Sequence, residues 1–225
     1  MLTNTSHLCS STIIKKAIVA LTGLVMIGFL VVHLLGNLQV FAGAGVTPET
    51  TKLNEYALLL KKEPVLLWGA RLFLILTAIL HVMTTITLTQ HNRDARPQHY
   101  EVRHSYASYA SQMMIFGGLA ILFYIVYHIL HFTTGTVHAD YFTPHDVYQN
   151  MIRSFQDPTI VGVYVAAQIA LFAHLYHGTV SVFRTLGMNN PRHIFWIKKA
   201  GILFALIICG GFISIPVCIY FGMVS

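Results

Sequence analysis

Five apolar stretches, each long enough to cross a lipid bilayer, dominate this sequence of 225 residues. A hydrocarbon core of about 30 Å requires about 20 mostly apolar residues per helix. The stretches that meet this condition, here called spans I to V, are residues 16–41, 65–89, 107–133, 159–184 and 199–221. Charged residues make up only 10% of the chain, whereas a soluble domain carries about a quarter. The sequence therefore predicts an all-α integral membrane protein, with residues 1–225 forming a single transmembrane domain.

Several function classes are excluded by what the sequence lacks. The first span is too long for the apolar region of a cleavable signal and has no clear small-residue cleavage site after it, so we expect it to be retained. There is no GxGxxG motif, no P-loop and no soluble segment longer than a loop, so chemistry on a soluble substrate would lie on another polypeptide. The cysteines Cys9, Cys209 and Cys218 form neither CxxC nor CxxCH, which excludes covalent haem attachment by the usual motif.

Positive charge in the connections predicts the orientation of the spans. Nine basic residues lie at the N-terminus and in the II–III and IV–V connections: Lys15, Lys16, Arg93, Arg96, Arg103, Arg184, Arg192, Lys198 and Lys199. Four lie in the opposite connections: Lys52, Lys61, Lys62 and Arg153. This bias predicts a cytoplasmic N-terminus and an external C-terminus, and it explains the net charge of +6 without a nucleic-acid partner.

Each of spans I to IV contains a histidine within its apolar run, and counting along the helices assigns each one a depth. With a rise of about 1.5 Å per residue, His33 of span I and His128 of span III fall in the outer half of the membrane. His81 of span II and His174 of span IV fall in the inner half. The four histidines therefore form an outer pair and an inner pair.

Paired histidines at two depths point to a specific chemistry. Ionisable groups inside a membrane are costly and usually mark a function, although a single one can serve merely to hydrogen-bond a neighbouring helix. Two imidazoles from different helices are a common axial ligand set for b-type haem in a helix bundle. We therefore expect spans I to IV to form a bundle around two stacked haems. Small residues at the inner level, Gly23 of span I and Gly117 and Gly118 of span III, would leave room for the inner haem.

The other histidines rank below these four. His131 and His177 each follow a predicted ligand by three residues; either could replace that ligand, contact a haem propionate or contribute to a quinone pocket. The rest are predicted to be solvated, and they are His7, His91, His99, His104, His138, His145 and His193.

At these residues the sequence resembles the single-chain, five-helix, di-haem cytochrome b subunit of succinate:quinone oxidoreductases and quinol:fumarate reductases. The resemblance spans most of the chain and rests on "LTGLVMIGFLVVHLLGNLQ", "RLFLILTAILHVMTT", "GGLAILFYIVYHILHF" and "IVGVYVAAQIALFAHLYHGTVSVFRTLG". It implies that the haem-iron ligands are His33 and His128 for the outer haem, and His81 and His174 for the inner haem.

The resemblance also implies partners and a place in metabolism. A flavoprotein subunit and an iron–sulfur subunit would dock on the cytoplasmic face of a bacterial inner membrane, and the complex could form a higher oligomer. Succinate would be oxidised on the flavoprotein, as in the tricarboxylic acid cycle, and electron transport would run through the inner and outer haems to a quinone, often menaquinone. In a fumarate reductase the direction is reversed. No catalytic residue for the dicarboxylate is expected in this chain.

A quinone pocket requires a titratable group near a haem edge. Glu55 and Glu63, in the outer I–II connection, and His131 are the candidates; the alternative is that the two glutamates are solvated and pair with Lys61 and Lys62. Candidate contacts to haem propionates are Arg71, Arg153 and Arg184, which could instead extend to lipid headgroups.

Two other interpretations remain open. A metal or proton transporter could also use intramembrane histidines, but the sequence shows no inverted repeat, no pair of broken helices at mid-membrane and no carboxylate within a span. The chain could also be the di-haem cytochrome b of another quinone-linked dehydrogenase or a hydrogenase. One ligand on each of spans I to IV argues against that interpretation.

Overall fold

The computed structural model describes residues 11–43, 51–95 and 114–224. The helices of this part of the chain are α1 (Thr12–Asn37), α2 (Lys52–Lys62), α3 (Pro64–Asp94), α4 (Met114–Phe132), α5 (Val147–Ser154), α6 (Pro158–Thr185) and α7 (Pro191–Tyr220). Two short 3-10 helices, Leu38–Ala42 and Ala139–Tyr141, complete the secondary structure, and the described ranges contain no strand.

The prediction of an all-α protein with five membrane spans is confirmed. Five helical segments are long and apolar enough to cross a membrane: α1 with the 3-10 helix that follows it, α3, α4, α6 and α7. They correspond to spans I to V in order. The predicted start of span III at residue 107 lies outside the described residues, as do Arg96 and Arg103 of the II–III connection. Below, "inner" denotes the face on which α1 begins and "outer" the face on which it ends.

Span V begins earlier than expected, and this corrects the IV–V connection. Helix α7 begins at Pro191, so Arg192, Lys198 and Lys199 lie within the helix and not in a loop. Asn190 caps this helix by accepting a hydrogen bond from the backbone N–H of Arg192 at 3.0 Å. Proline at the first helical position suits such a start because its missing N–H has no partner there anyway.

Helix α1 is the hub of the bundle. It packs against α3, α6 and α7, while α6 and α7 form the most extensive helix pair and α4 packs on α6. The contact among α1, α6 and α7 is an apolar cluster of Leu34, Leu175, Ala205 and Ile208. Helices α3 and α4 lie at the edges and expose most of their apolar side chains, as expected of helices that face lipid.

The sequence suggested simple loops for the two outer connections, but each of them contains a helix: α2 in the I–II connection and α5 in the III–IV connection. Asn54 of α2 donates a hydrogen bond from Nδ2 to Asp146 Oδ1 at 2.9 Å and accepts one from the backbone N–H of Tyr148 at 3.0 Å. These bonds join α2 to α5, and both helices pack over a buried cluster that includes Leu53, Tyr148 and Met151. The outer end of the bundle is therefore covered by folded structure, here called the outer cap (α2 and α5).

An aspartate positions the helix that follows the outer cap. Asp157 accepts a hydrogen bond from the backbone N–H of Thr159 at 2.7 Å at the start of α6. This bond is the main reason why the pKa of Asp157 lies below its usual value. A carboxylate at a helix N-terminus also interacts favourably with the helix dipole.

Two adjacent glycines of α7 provide a test of the packing. A Cβ on Gly211 would lie 2.9 Å from Cδ2 of Leu34, whereas a Cβ on Gly210 would meet nothing within 4 Å. We expect Gly211→Val to lower the free energy of unfolding by about 1–3 kcal/mol through overpacking. Gly210→Val is the matched control, because it introduces the same β-branched residue into the same helix. Thermal unfolding in detergent measures both; equal melting temperatures would contradict the observed α1–α7 contact.

Candidate functional site

The structure brings together the two predicted outer histidines. His33 of α1 and His128 of α4 have ring centroids 5.8 Å apart and ring planes at 88°. The two helices do not pack extensively against each other, so the imidazoles meet across a space between helices. Phe29 stacks on His33 with centroids 5.2 Å apart, and Phe132 lies 5.7 Å from His128. The pair therefore lies in an aromatic, water-poor environment.

A chain of hydrogen bonds supports the outer pair. The hydroxyl of Tyr164 on α6 lies 3.3 Å from Nδ1 of His128 and 3.0 Å from Nδ1 of His131. Nε2 of His131 lies 2.9 Å from Oγ of Ser154 at the end of α5. His131 is 2% exposed and uses both ring nitrogens in these bonds. Both ring nitrogens of His131 are therefore occupied by protein partners. For His128 only Nδ1 takes part in this chain of hydrogen bonds, and Nε2 does not.

At the inner level, His81 of α3 faces α1. Its Nδ1 lies 3.0 Å from Oγ1 of Thr22, and its Cε1 would lie 3.6 Å from a Cβ built on Gly23. The second distance is an ordinary van der Waals contact, so the imidazole alone does not require a glycine at position 23. The structure thus places the predicted small residue of span I directly beside the predicted inner ligand.

The second inner histidine has a corresponding environment on another pair of helices, α6 and α4. His174 of α6 faces α4, where a Cβ on Gly118 would lie 3.5 Å from its Cε1. Nδ1 of His174 is buried and has no hydrogen-bond partner. His81 and His174 make no ring contact with each other in the described part of the chain. His81 lies beside Gly23 of α1, and His174 lies beside Gly118 of α4. His177, one turn further along α6, is half-buried.

The two levels are well separated and have the same spacing on two helices. Gly23 and His33 mark the inner and outer levels on α1 and are about 15 Å apart along the axis at the usual rise. Gly118 and His128 mark the same two levels on α4 with the same separation. The contacts thus sort the four histidines by level in the same way as the depth count from the sequence.

These surroundings fit two b-type haems. Nδ1 of His174 is buried without a partner, at a cost of about 1–3 kcal/mol, and a haem iron at Nε2 would not remove this cost, so the fit rests on the glycines and on the outer pair. The inner glycines are not explained by contact with the histidines alone, and a flat macrocycle beside each ring would require short side chains there. His33 with His128, and His81 with His174, are the residues that would hold the two haems through their ring nitrogens. No group of three or more His, Cys, Asp or Glu side chains that could hold a metal ion occurs within the described ranges.

The candidate propionate residues lie at three different places. Arg71, near the outer end of α3, lies over the ring of Trp68 at 5.0 Å from its centroid. Arg153 of α5 is exposed and donates a hydrogen bond to Oγ1 of Thr143 at 3.3 Å. Arg184 is exposed in the last turn of α6. The structure does not bring any of the three into contact with a predicted ligand, and Arg71 with Trp68 is typical of a side-chain pair at the membrane interface.

The candidate quinone residues Glu55, Glu63 and His131 do not lie together in one pocket either. Glu55 lies on α2 and forms an exposed ion pair with Lys52 at 2.8 Å, so its partner is neither Lys61 nor Lys62. It lines an open groove of about 460 Å³ together with Gln39, Tyr56, Leu58 and other residues of α2. Glu63 is exposed between α2 and α3, and neither Glu63 nor His131 lines this groove.

Sequence reasoning missed the hydroxyl partners of the histidines. Thr22, Tyr164 and Ser154 carried no signal of their own, because the contacts depend on how the helices are rotated against each other. His138 was expected to be solvated, but Nε2 lies 3.0 Å from the Tyr127 hydroxyl and its ring lies 5.1 Å from that of His131. Its position in a connection, three residues after Gly135, gave no reason to expect this.

Fold and site together define a multi-pass, all-α membrane protein, with His33 and His128 in contact at one level and His81 and His174 each beside a glycine at the other. No protein-family model, curated protein or solved structure matches this chain.

The buried position of His131 leads to a stability prediction. His131→Ala removes the partner of two hydroxyls, Tyr164 and Ser154, and should lower the free energy of unfolding by about 1–3 kcal/mol. His177→Ala is the control, since no hydrogen bond of the His177 ring occurs in the described structure. Thermal unfolding of the purified protein in detergent measures both variants. If the two variants are equally stable, the hydrogen bonds of His131 contribute nothing to the fold.

Proposed function

We propose that this chain is the haem-binding membrane-anchor subunit of a succinate dehydrogenase or fumarate reductase complex. The observation that carries the proposal is the arrangement of four histidines, one on each of four spans, at two levels. His33 and His128 face each other directly, and His81 and His174 lie beside glycines. Together with the family resemblance of spans I to IV, this arrangement favours a di-haem cytochrome b.

In this role the chain holds two haems and isolates them from water. His33 with His128, and His81 with His174, would hold one haem each through their ring nitrogens, and the haems would supply one-electron transfer. The apolar side chains around the pairs keep the local dielectric low, and burial of this kind is one determinant of reduction potential.

The charge distribution supports the proposed partners. Basic residues collect at the inner ends of the helices, with Arg93 in the last turn of α3, Arg184 in that of α6, and Arg192 at the start of α7. A basic surface suits docking of a soluble iron–sulfur subunit, which in turn binds the flavoprotein that carries the dicarboxylate site. With the inner face in the cytoplasm, the protein would be part of a bacterial cytoplasmic membrane.

A quinone would bind at the outer face in this proposal. The groove beside Glu55 offers an apolar wall from Leu58 and Leu59, and a carboxylate and an ammonium group from Glu55 and Lys52. Quinone reduction consumes protons, and a carboxylate in contact with water could deliver them. Menaquinone, often the partner of di-haem members of the family, is the expected substrate.

The proposal predicts the composition of the purified complex. Mild detergent extraction should yield two haems per chain, released by acid acetone because no CxxCH motif holds them. A flavoprotein and an iron–sulfur protein with succinate-oxidising or fumarate-reducing activity should copurify. Haem without these partners would favour a di-haem cytochrome b of another quinone-linked dehydrogenase or hydrogenase. A haem-free chain that transports a solute in liposomes would favour a transporter.

Substituting the four histidines tests the pairing. A six-coordinate iron that loses one imidazole becomes high-spin or dissociates, so His33→Ala and His128→Ala should share one spectral defect. His81→Ala and His174→Ala should share a different one. His131→Ala and His177→Ala, the controls, should leave both haems six-coordinate. A defect shared by His33→Ala and His81→Ala would contradict the two-level arrangement.

A further inference from the structure

We infer that Thr22 and Tyr164 are positioning residues, each of which fixes one predicted haem ligand in the tautomer that leaves Nε2 free for iron. The inference rests on the proposed function and extends it from the ligands to the groups behind them. It concerns one ligand at each level, His81 at the inner level and His128 at the outer level.

At the inner level, the direction of the hydrogen bond follows from proton counting. The hydroxyl of Thr22 has one proton, and Oγ1 lies 2.7 Å from the backbone carbonyl of Ile18, which can only accept. A threonine hydroxyl in a helix commonly donates to the carbonyl four residues back. The carbonyl of Val19 lies 3.2 Å from Oγ1, also can only accept, and is itself a hydrogen-bond partner of the His81 ring. With its proton engaged by a carbonyl, Oγ1 accepts at its 3.0 Å contact with Nδ1 of His81. A neutral imidazole has only one N–H, so Nε2 of His81 keeps its lone pair.

At the outer level, the same reasoning applies to a longer chain of bonds. The phenol of Tyr164 has one proton and two imidazole neighbours, Nδ1 of His131 at 3.0 Å and Nδ1 of His128 at 3.3 Å. The chain can run in two directions, and we assign the phenol proton to the shorter of the two contacts. Tyr164 then donates to His131 and accepts from His128. His131 then carries its own proton on Nε2 and donates it to Ser154 at 2.9 Å. Every member of the chain is satisfied, and Nε2 of His128 keeps its lone pair.

This arrangement has a chemical consequence for a bound metal. Ligating histidines usually donate their second N–H to a nearby acceptor, which fixes ring orientation and raises the basicity of the ligating nitrogen. A more basic ligand stabilises the oxidised iron. Removing the acceptor should therefore raise the midpoint potential of the affected haem while leaving the other haem unchanged.

The test is a redox titration with electron paramagnetic resonance spectra of the purified complex carrying Thr22→Val or Tyr164→Phe. The alanine variants of the ligands identify which haem signal belongs to which level. Thr22→Val should raise the potential and shift the low-spin spectrum of the inner haem alone, and Thr22→Ser should restore both. Tyr164→Phe should do the same for the outer haem alone. Ser154→Ala, at the far end of the chain, should shift the outer haem in the same direction but less.

Two matched controls separate this role from general effects on packing. Thr89→Val removes a hydroxyl bonded to a carbonyl four residues back, that of Thr85, away from the histidine pairs. Tyr127→Phe removes a phenol that contacts His138 and not His128. Both should leave the two potentials unchanged. If Thr22→Val prevents assembly, Thr22→Ala removes the same acceptor with a smaller side chain.

The outcomes distinguish this inference from the proposed function. Two bound haems whose potentials and spectra are unaffected by Thr22→Val and Tyr164→Phe would overturn the positioning role and leave the proposed function intact. Equal shifts of both haems in either variant would also overturn it, because they would indicate a general disturbance. A wild-type complex without haem would overturn the proposed function itself, and the positioning role with it.

Discussion

The arrangement of this protein depends on one constraint, which is that an imidazole inside a membrane has no water to bond. Each ring nitrogen must find a partner in the protein or in a ligand, or incur a cost in free energy. His131 meets this requirement entirely within the chain, through Tyr164 and Ser154. Two of the predicted ligands do so on one side only, His81 through Thr22 and His128 through Tyr164. Nδ1 of His174 has no such partner in the described structure. Within the outer hydrogen-bonded chain, His131 thus differs from the candidate ligand His128 in having both ring nitrogens engaged.

Helix α1 connects the two levels into one rigid unit. It contributes Thr22 and Gly23 to the inner level and His33 to the outer level, and it packs against three of the other spans. The outer cap adds a second support, since Ser154 at the end of α5 is bonded to His131. The outer level is therefore tied to a folded surface structure, whereas the inner level is held by the transmembrane helices.

The sequence predicted the features that one helix determines on its own, namely its length and the depth of each of its residues. Hydrophobic length identifies the spans, and the constant rise of an α-helix places His33 and His128 at one depth and His81 and His174 at another. It did not predict α2 and α5, although Thr51 and Asp146 are suitable N-caps and Lys61 and Lys62 are typical of a helix end. The partners Thr22 and Tyr164 could not be predicted, because they depend on the rotation of one helix against another. Helix rotation is decided by packing of whole surfaces and leaves no local pattern.

The contact between α1 and α7 has a consequence for biosynthesis. Span I packs against span V, which is translated after spans II to IV, with Leu34 against Gly211 and the ring of Phe212 5.9 Å from that of His33. Translation is slow relative to local helix formation. Helix α1 is therefore inserted in the membrane before its partner α7 has been synthesised. The outer histidine of α1 therefore acquires its complete surroundings only after α7 has been inserted. Under the proposed function, haem binding at that level would be a late event in assembly, dependent on a helix that provides no predicted ligand.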